Sequence, residues 1–279
     1  MVPPLVVRDI DFRFDDSIPF HWNPGNPCWG NLVNFITLIA PAFERYAIRA
    51  TRAALPLIRD PAVRRDAELF CRQEAQHARH HIAHMALLLR QHPGLGDVVG
   101  AINASFEAMY RREPLRYHLA YVATVELCFG PLAAFFIDNR RVLFVDADPR
   151  IAAFILWHLV EEFEHRNSAI DIFNDVVGRH GYRLSTLPAV ARQLAAIERI
   201  AREGFNRVVP AGPGGVAAGD VRSALAAIPR RRQLGLLCRL AATLLPGHRP
   251  ERLPQPEWVT RWFAEQAAGV DMARHYPGI

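Results

Sequence analysis

Two short stretches decide the fold: Gln73-Glu74-Ala75-Gln76-His77 and Glu161-Glu162-Phe163-Glu164-His165. Each holds Glu-x-x-His. Residues three apart lie on one face of a helix, so the Glu and the His of each pair can grip one metal ion. A single match says little. With fourteen glutamates and twelve histidines in 279 residues, roughly 0.6 matches are expected by chance. Two matches set in helical frames say more. A di-metal carboxylate bundle takes one Glu from each of two helices and Glu-x-x-His from each of two others. In chain order the first helix offers Glu44, the second Glu74 and His77, an apolar helix Glu126, and the fifth helix Glu162 and His165.

Working outward, apolar residues recur at helical spacing from Asn31 to about Ile58, with Pro41 expected to kink the run. Asp60-Pro61 and Asp148-Pro149 each combine an N-cap with proline at the first helical position. The first opens a helix to about His92 and the second one to about Gly178. A shorter helix spans Asp97 to about Arg112, and Pro114 opens the helix that carries Leu119–Ile137. A sixth runs from Pro188 to Asn206. Val209–Asp220 is rich in Gly, Ala and Pro and reads as a linker. Helical stretches follow at about 221–245 and 256–274. No stretch shows strand alternation. The predicted fold is all-α: a four-helix di-metal carboxylate bundle with additional helices. Its domains are an arm (1–30), the bundle (31–206), and a linker with a helical tail packed on the bundle (207–279).

Each ligand candidate has an ordinary reading when taken alone. Glu44 would be a surface glutamate, Glu126 a partner for a buried arginine, and His77 a half-buried polar residue. As an ordered set on four helices they read as a metal site, because two divalent cations can hold carboxylates together in a core where they would otherwise repel or protonate. His158 lies four residues before Glu162 and seven before His165, on the same stripe, and is a candidate extra ligand. His81, one turn beyond His77, reads as a supporting residue. His84 is about 10 Å along the axis from His77 and out of reach. Gln73 and Glu161 each precede a proposed ligand and suit the other N–H of a metal-bound histidine.

Composition narrows the function. Charged residues make up 22% and hydrophobic residues 51%, as in an ordinary globular chain. Net charge is +5, and with no lysine all 33 basic residues are arginine. They are scattered without aromatic interleaving, so no nucleic-acid partner is expected. Four cysteines lie far apart with no C-x-x-C pair, which makes a reducing cytoplasm the default location. Leu119–Ile137 is apolar enough for a membrane span, but a buried bundle helix reads the same way, and Glu126 near its centre asks for a function. In the tail, Arg230–Leu240 is basic at one end and apolar beyond. Packing on the bundle is the first reading, a homodimer contact the second and an anionic membrane surface the third. The linker would let it move as a lid.

Phe70–His81 (F-C-R-Q-E-A-Q-H-A-R-H-H) and Trp157–Asp171 (W-H-L-V-E-E-F-E-H-R-N-S-A-I-D) resemble signatures of the bacterial family named predicted metal-dependent hydrolases. The resemblance covers most of residues 5–190 and is less clear in the tail. Phe43 stands before Glu44 where a Gly-Glu pair is more usual. The ligand pattern is also similar to that of p-aminobenzoate N-oxygenase, a ferritin-like di-iron enzyme with a third histidine. That likeness implies Glu44, Glu74, His77, Glu126, His158, Glu162 and His165 as ligands. Asp171 belongs to the signature, but nine residues turn an ideal helix by 900°, which sets it about 180° from Glu162; it is not read as a ligand.

The leading expectation is a non-haem di-iron, O2-activating oxidase or oxygenase. It would use two iron ions (manganese as the substitute), O2 as co-substrate and an external electron donor. Its substrate would be a small hydrophobic or aromatic molecule, with Phe70, Tyr46, Phe163 and Trp157 as candidate pocket walls and plain core as their ordinary reading. The alternative is a two-metal hydrolase. A third reading is a non-catalytic metal-binding bundle.

Overall fold

The computed structural model describes residues 5–210 and 219–275. Helices account for all its regular structure; no strand occurs among the described residues. Three of the four helices that carry the candidate ligands start with one local device. Asn26, Asp60 and Asp148 accept from the backbone N–H groups of Trp29, Ala62 and Arg150, and Pro27, Pro61 and Pro149 follow them. These starts open α1 (Pro27–Ala54), α2 (Pro61–Gln91) and α6 (Pro149–Glu164). Between them lie α3 (Leu95–Arg112), α4 (Leu115–Asp138) and the single turn α5 (Arg140–Leu143). Next come α7 (Ser168–Val176) and α8 (His180–Val208), and the tail holds α9 (Val221–Ala224), α10 (Arg230–Ala242) and α11 (Glu257–Ala267). α1 packs along α2, α4 packs on α6 and α7, and α3 and α8 cover the α1 side. α4 is long and apolar enough to cross a membrane, but most of its apolar window is buried in the bundle.

Several boundaries differ from the sequence reading. α1 starts at Pro27, four residues early, because the Asn26 cap precedes the apolar pattern, and it runs unbroken through Pro41. α8 begins at His180 and contains Pro188 inside. The helix expected from 149 to 178 breaks after Glu164. There Arg166 Nη1 donates to the Phe163 carbonyl at 2.5 Å, a carbonyl that an unbroken helix would give to the Asn167 N–H. The Ser168 N–H turns back instead to the His165 carbonyl at 2.8 Å. In the tail, Pro229 caps α10 and separates it from α9, and Gly269, at φ 83°, lies just past the end of α11. Residues 211–218, most of the stretch read as linker and hinge, lie outside the described residues.

The irregular segment from Leu5 to Asn26 is not a loose strap. Phe12 sits 5.3 Å from the Trp157 ring and 5.7 Å from Phe154. Ile18 and Trp22 are each 1% exposed. Trp22 Nε1 donates to Asn34 and Gln91 donates to the Ile18 carbonyl, so the arm is fixed to α1 and α2. The tail packs too: Trp258, Val259 and Trp262 of α11 are buried, and Arg183 of α8 donates to the Thr243 carbonyl.

Candidate metal centre

Four helices bring their carboxylates to one buried point. Glu44 comes from α1, Glu74 and His77 from α2, Glu126 from α4, and Glu162 from α6, whose last residue is followed by His165. All six are buried. His165 Nε2 lies 3.1 Å from Glu162, 3.3 Å from Glu74 and 3.6 Å from Glu126. His77 Nδ1 lies 3.5 Å from Glu162 and 3.8 Å from Glu74. The atoms form overlapping cups, each tight enough for one ion: Glu74, Glu162 and His165; Glu44, Glu74 and His77; His77, His158 and Glu162. Glu74 and Glu162 recur in cups on both sides and can be shared between two ions.

The burial of these groups fits metal ions. Both carboxylate oxygens of Glu44, Glu74 and Glu126, and His77 Nδ1, are buried without a hydrogen-bond partner. Such orphans are rare and costly unless an ion or water satisfies them. Burial and mutual repulsion push the Glu44, Glu74 and Glu126 carboxyls well above the usual range. Burial, then the neighbouring His158, pushes His77 well down. Burial alone would lower His165 and raise Glu162. Their mutual attraction outweighs it, taking His165 up to about 9 and Glu162 down to about 2.

A ring of outer partners sets which nitrogen of each histidine faces the carboxylates. Glu161 accepts from His77 Nε2 at 3.2 Å, which leaves Nδ1 bare toward the carboxylates. The Gln73 side-chain oxygen accepts from His165 Nδ1 at 3.1 Å, which leaves Nε2 bare. Glu161 and Gln73 each meet the histidine nitrogen turned away from the carboxylates. Two further members had no local signal. Arg8, on the arm, donates to Glu161 at 3.0 Å and to both oxygens of Glu164 at 2.8 and 3.0 Å. Gln73 Nε2 donates to Glu164 at 2.6 Å. The ring closes as His77–Glu161–Arg8–Glu164–Gln73–His165. Burial raises the Glu161 carboxyl to about 7, and Arg8 keeps it from rising further. Arg8 is 153 residues from Glu161, beyond any spacing rule.

On the other side His158 Nε2 is 2.8 Å from Glu162 and 4.0 Å from Glu44. Its Nδ1 meets His81 Nε2 at 2.8 Å. His81 Nε2 in turn lies 3.8 Å from Glu44. Glu44, His81 and His158 form a further cup of their own, in which His81 lies as near Glu44 as His158 does. Thr37 Oγ1 joins His81 Nδ1 and His84 Nδ1 at 3.2 and 3.1 Å, so His84 reaches the centre only through a hydroxyl.

An apolar cavity of about 310 Å³ reaches this side. Its polar floor is Glu44, Glu74, His81, His158 and Glu162. Phe70, Tyr46, Phe163 and Trp157 do not line it. Phe70 and Trp157 stand edge-on to His165 and His77, each at 5.1 Å, and brace the ligand rings. Tyr46 instead pairs with His118 at 2.8 Å.

A helical bundle with a buried Glu/His cluster of this kind defines a metal-binding protein. The chain belongs to the family described as "Predicted metal-dependent hydrolase", which matches residues 6–251. No curated protein and no solved structure matches it.

Proposed function

We propose that the chain is a two-metal enzyme, and that hydrolysis of a small, largely apolar molecule is its reaction. The seven orphaned buried ligand atoms carry the metal reading, and the family description favours hydrolysis. Glu44, His77 and His158 would hold one ion and Glu126 and His165 the other, with Glu74 and Glu162 between them. Two divalent ions held there would supply Lewis acidity and lower the pKa of a bound water toward neutral. The chain's own groups do the rest. Glu161 and Gln73 hold both histidine tautomers, Arg8 fixes Glu161 and Glu164, and the cavity wall orients the apolar part of the substrate away from water.

A second reading is O2-dependent oxidation with two iron or manganese ions and an external electron donor. Four carboxylates with three or four imidazoles suit redox-active iron. The cavity wall also offers no charged group to a hydrolysable ester beyond the site itself.

Metal content after loading with zinc or ferrous iron tests both. Two ions per chain are expected, and Glu126→Ala should lose at least one. Full occupancy in that variant would remove Glu126 from the ligand set. Turnover of p-nitrophenyl esters by the zinc form supports hydrolysis. O2 uptake by the ferrous form with a reductant, the zinc form being inert, supports oxidation. Metal uptake with neither activity leaves a non-catalytic bundle, and no metal uptake sinks all three.

A further inference from the structure

We infer that the cavity binds a predominantly hydrocarbon molecule, uncharged away from the end that meets Glu44, His158 and Glu162. The substrate class rests on the metal-centre reading above; the cavity's selectivity does not. Its volume, about 310 Å³, falls in the range of small-molecule sites. Among the described residues, every lining side chain apart from the five floor residues and the indole of Trp29 is hydrocarbon. Phe43, Phe129, Phe136 and Leu159 are typical of the wall. Among the described residues no arginine and no acid outside the centre faces it, so a second charge on a ligand would be buried without a partner.

The cavity is also one-sided. Glu126 and His165 are absent from its lining, whereas Glu44, His81 and His158 are present. A ligand therefore arrives at the Glu44–His158 position and not at the Glu126–His165 position. Entry lies between α1 and α8, where Ile36 and Leu194 line the cavity and are each 41% exposed. Exposed apolar side chains at a mouth let a hydrophobic molecule leave water before it reaches the floor.

The test uses straight-chain primary alcohols from butanol to decanol, read by displacement of 1-aminoanthracene from both metal-free and metal-loaded protein. Affinity should rise about fourfold per methylene until the cavity fills. A terminal carboxylate added at the far end of the same chain should weaken binding roughly thirtyfold. Leu159→Trp, which fills the cavity, and Ile36→Trp, which narrows the exposed mouth, should each flatten the series while helicity and metal content persist. A flat series in the native protein, or equal binding of the charged-end analogues, would overturn the inference. Metal content on the same samples reports separately on the centre: its failure would sink the proposed function, while the metal-free series would still decide the cavity.

Discussion

Arg8 is the residue on which most depends outside the ligands. It is 7% exposed and separates two buried glutamates. Removing one partner of a buried ion pair leaves uncompensated charge and costs about 3–5 kcal/mol. Arg8→Met should therefore lower stability by about 3 kcal/mol. Metal affinity should also fall about tenfold or more, since outer partners orient ligands. Denaturant midpoints and competition with a metal chelator read the two effects; unchanged metal affinity would confine Arg8 to packing. His84 gives a pH test. Burial depresses it from 6.5 to about 3, so the folded state keeps it neutral where the unfolded chain protonates. The unfolded state then binds more protons, and stability falls as pH drops from 6.5 toward 3, by about 1.4 kcal/mol per pH unit. Glu44, Glu74 and Glu126 in the metal-free protein titrate with the opposite sign. The slope difference between native protein and His84→Asn isolates the histidine, and identical slopes would refute the assignment.

Among the elements, α3 and α8 meet where Gly204 lets them close. A Cβ there would lie 2.5 Å from one Val98 methyl and 3.0 Å from the other. Valine cannot swing far about χ1. Gly204→Ala should cost about 1–3 kcal/mol, and Val98→Ala in the same chain should recover much of it. Thermal melts of the two single variants and the double variant measure that coupling; additive losses would mean that the helices shift apart instead. What was legible in the sequence follows from the range of each signal. Glu-x-x-His spacing and Asp-Pro starts act within one or two turns, so the ligand helices and their order were readable. The break after Glu164 was not, because Arg166 makes it by taking the Phe163 carbonyl and by donating to the Pro250 carbonyl at 3.1 Å. Neither bond leaves a Gly or Pro in the local sequence. Arg8, His81's approach to Glu44 and the cavity wall all depend on contacts between distant segments, which periodicity does not encode.

At the scale of the whole molecule, the arm and the tail lean on one another at the rim of the centre. The Arg8 guanidinium lies 5.7 Å from the Trp262 ring and 5.0 Å from Phe263, both on α11. Contacts of this kind contribute about 0.5–2 kcal/mol each. A chain ended after Pro256 should keep its ligand helices but expose the surface that Trp258 and Trp262 cover. It should also release metal faster, and proteolysis should cut earlier within residues 5–26. Limited digestion of the full-length and shortened chains, with metal release followed by a chromophoric chelator, measures both; equal rates would show that α11 only covers apolar surface. Arg8 also has a place in time. It leaves the ribosome long before its carboxylate partners, and the aromatic rings that steady it leave roughly a hundred residues after those partners. While the chain is still being made, the four helices and the outer ring can assemble before α11 comes to lie against Arg8. A later segment of the chain then steadies an early one, and the metal release of the shortened chain reports how firmly the outer ring holds before α11 docks.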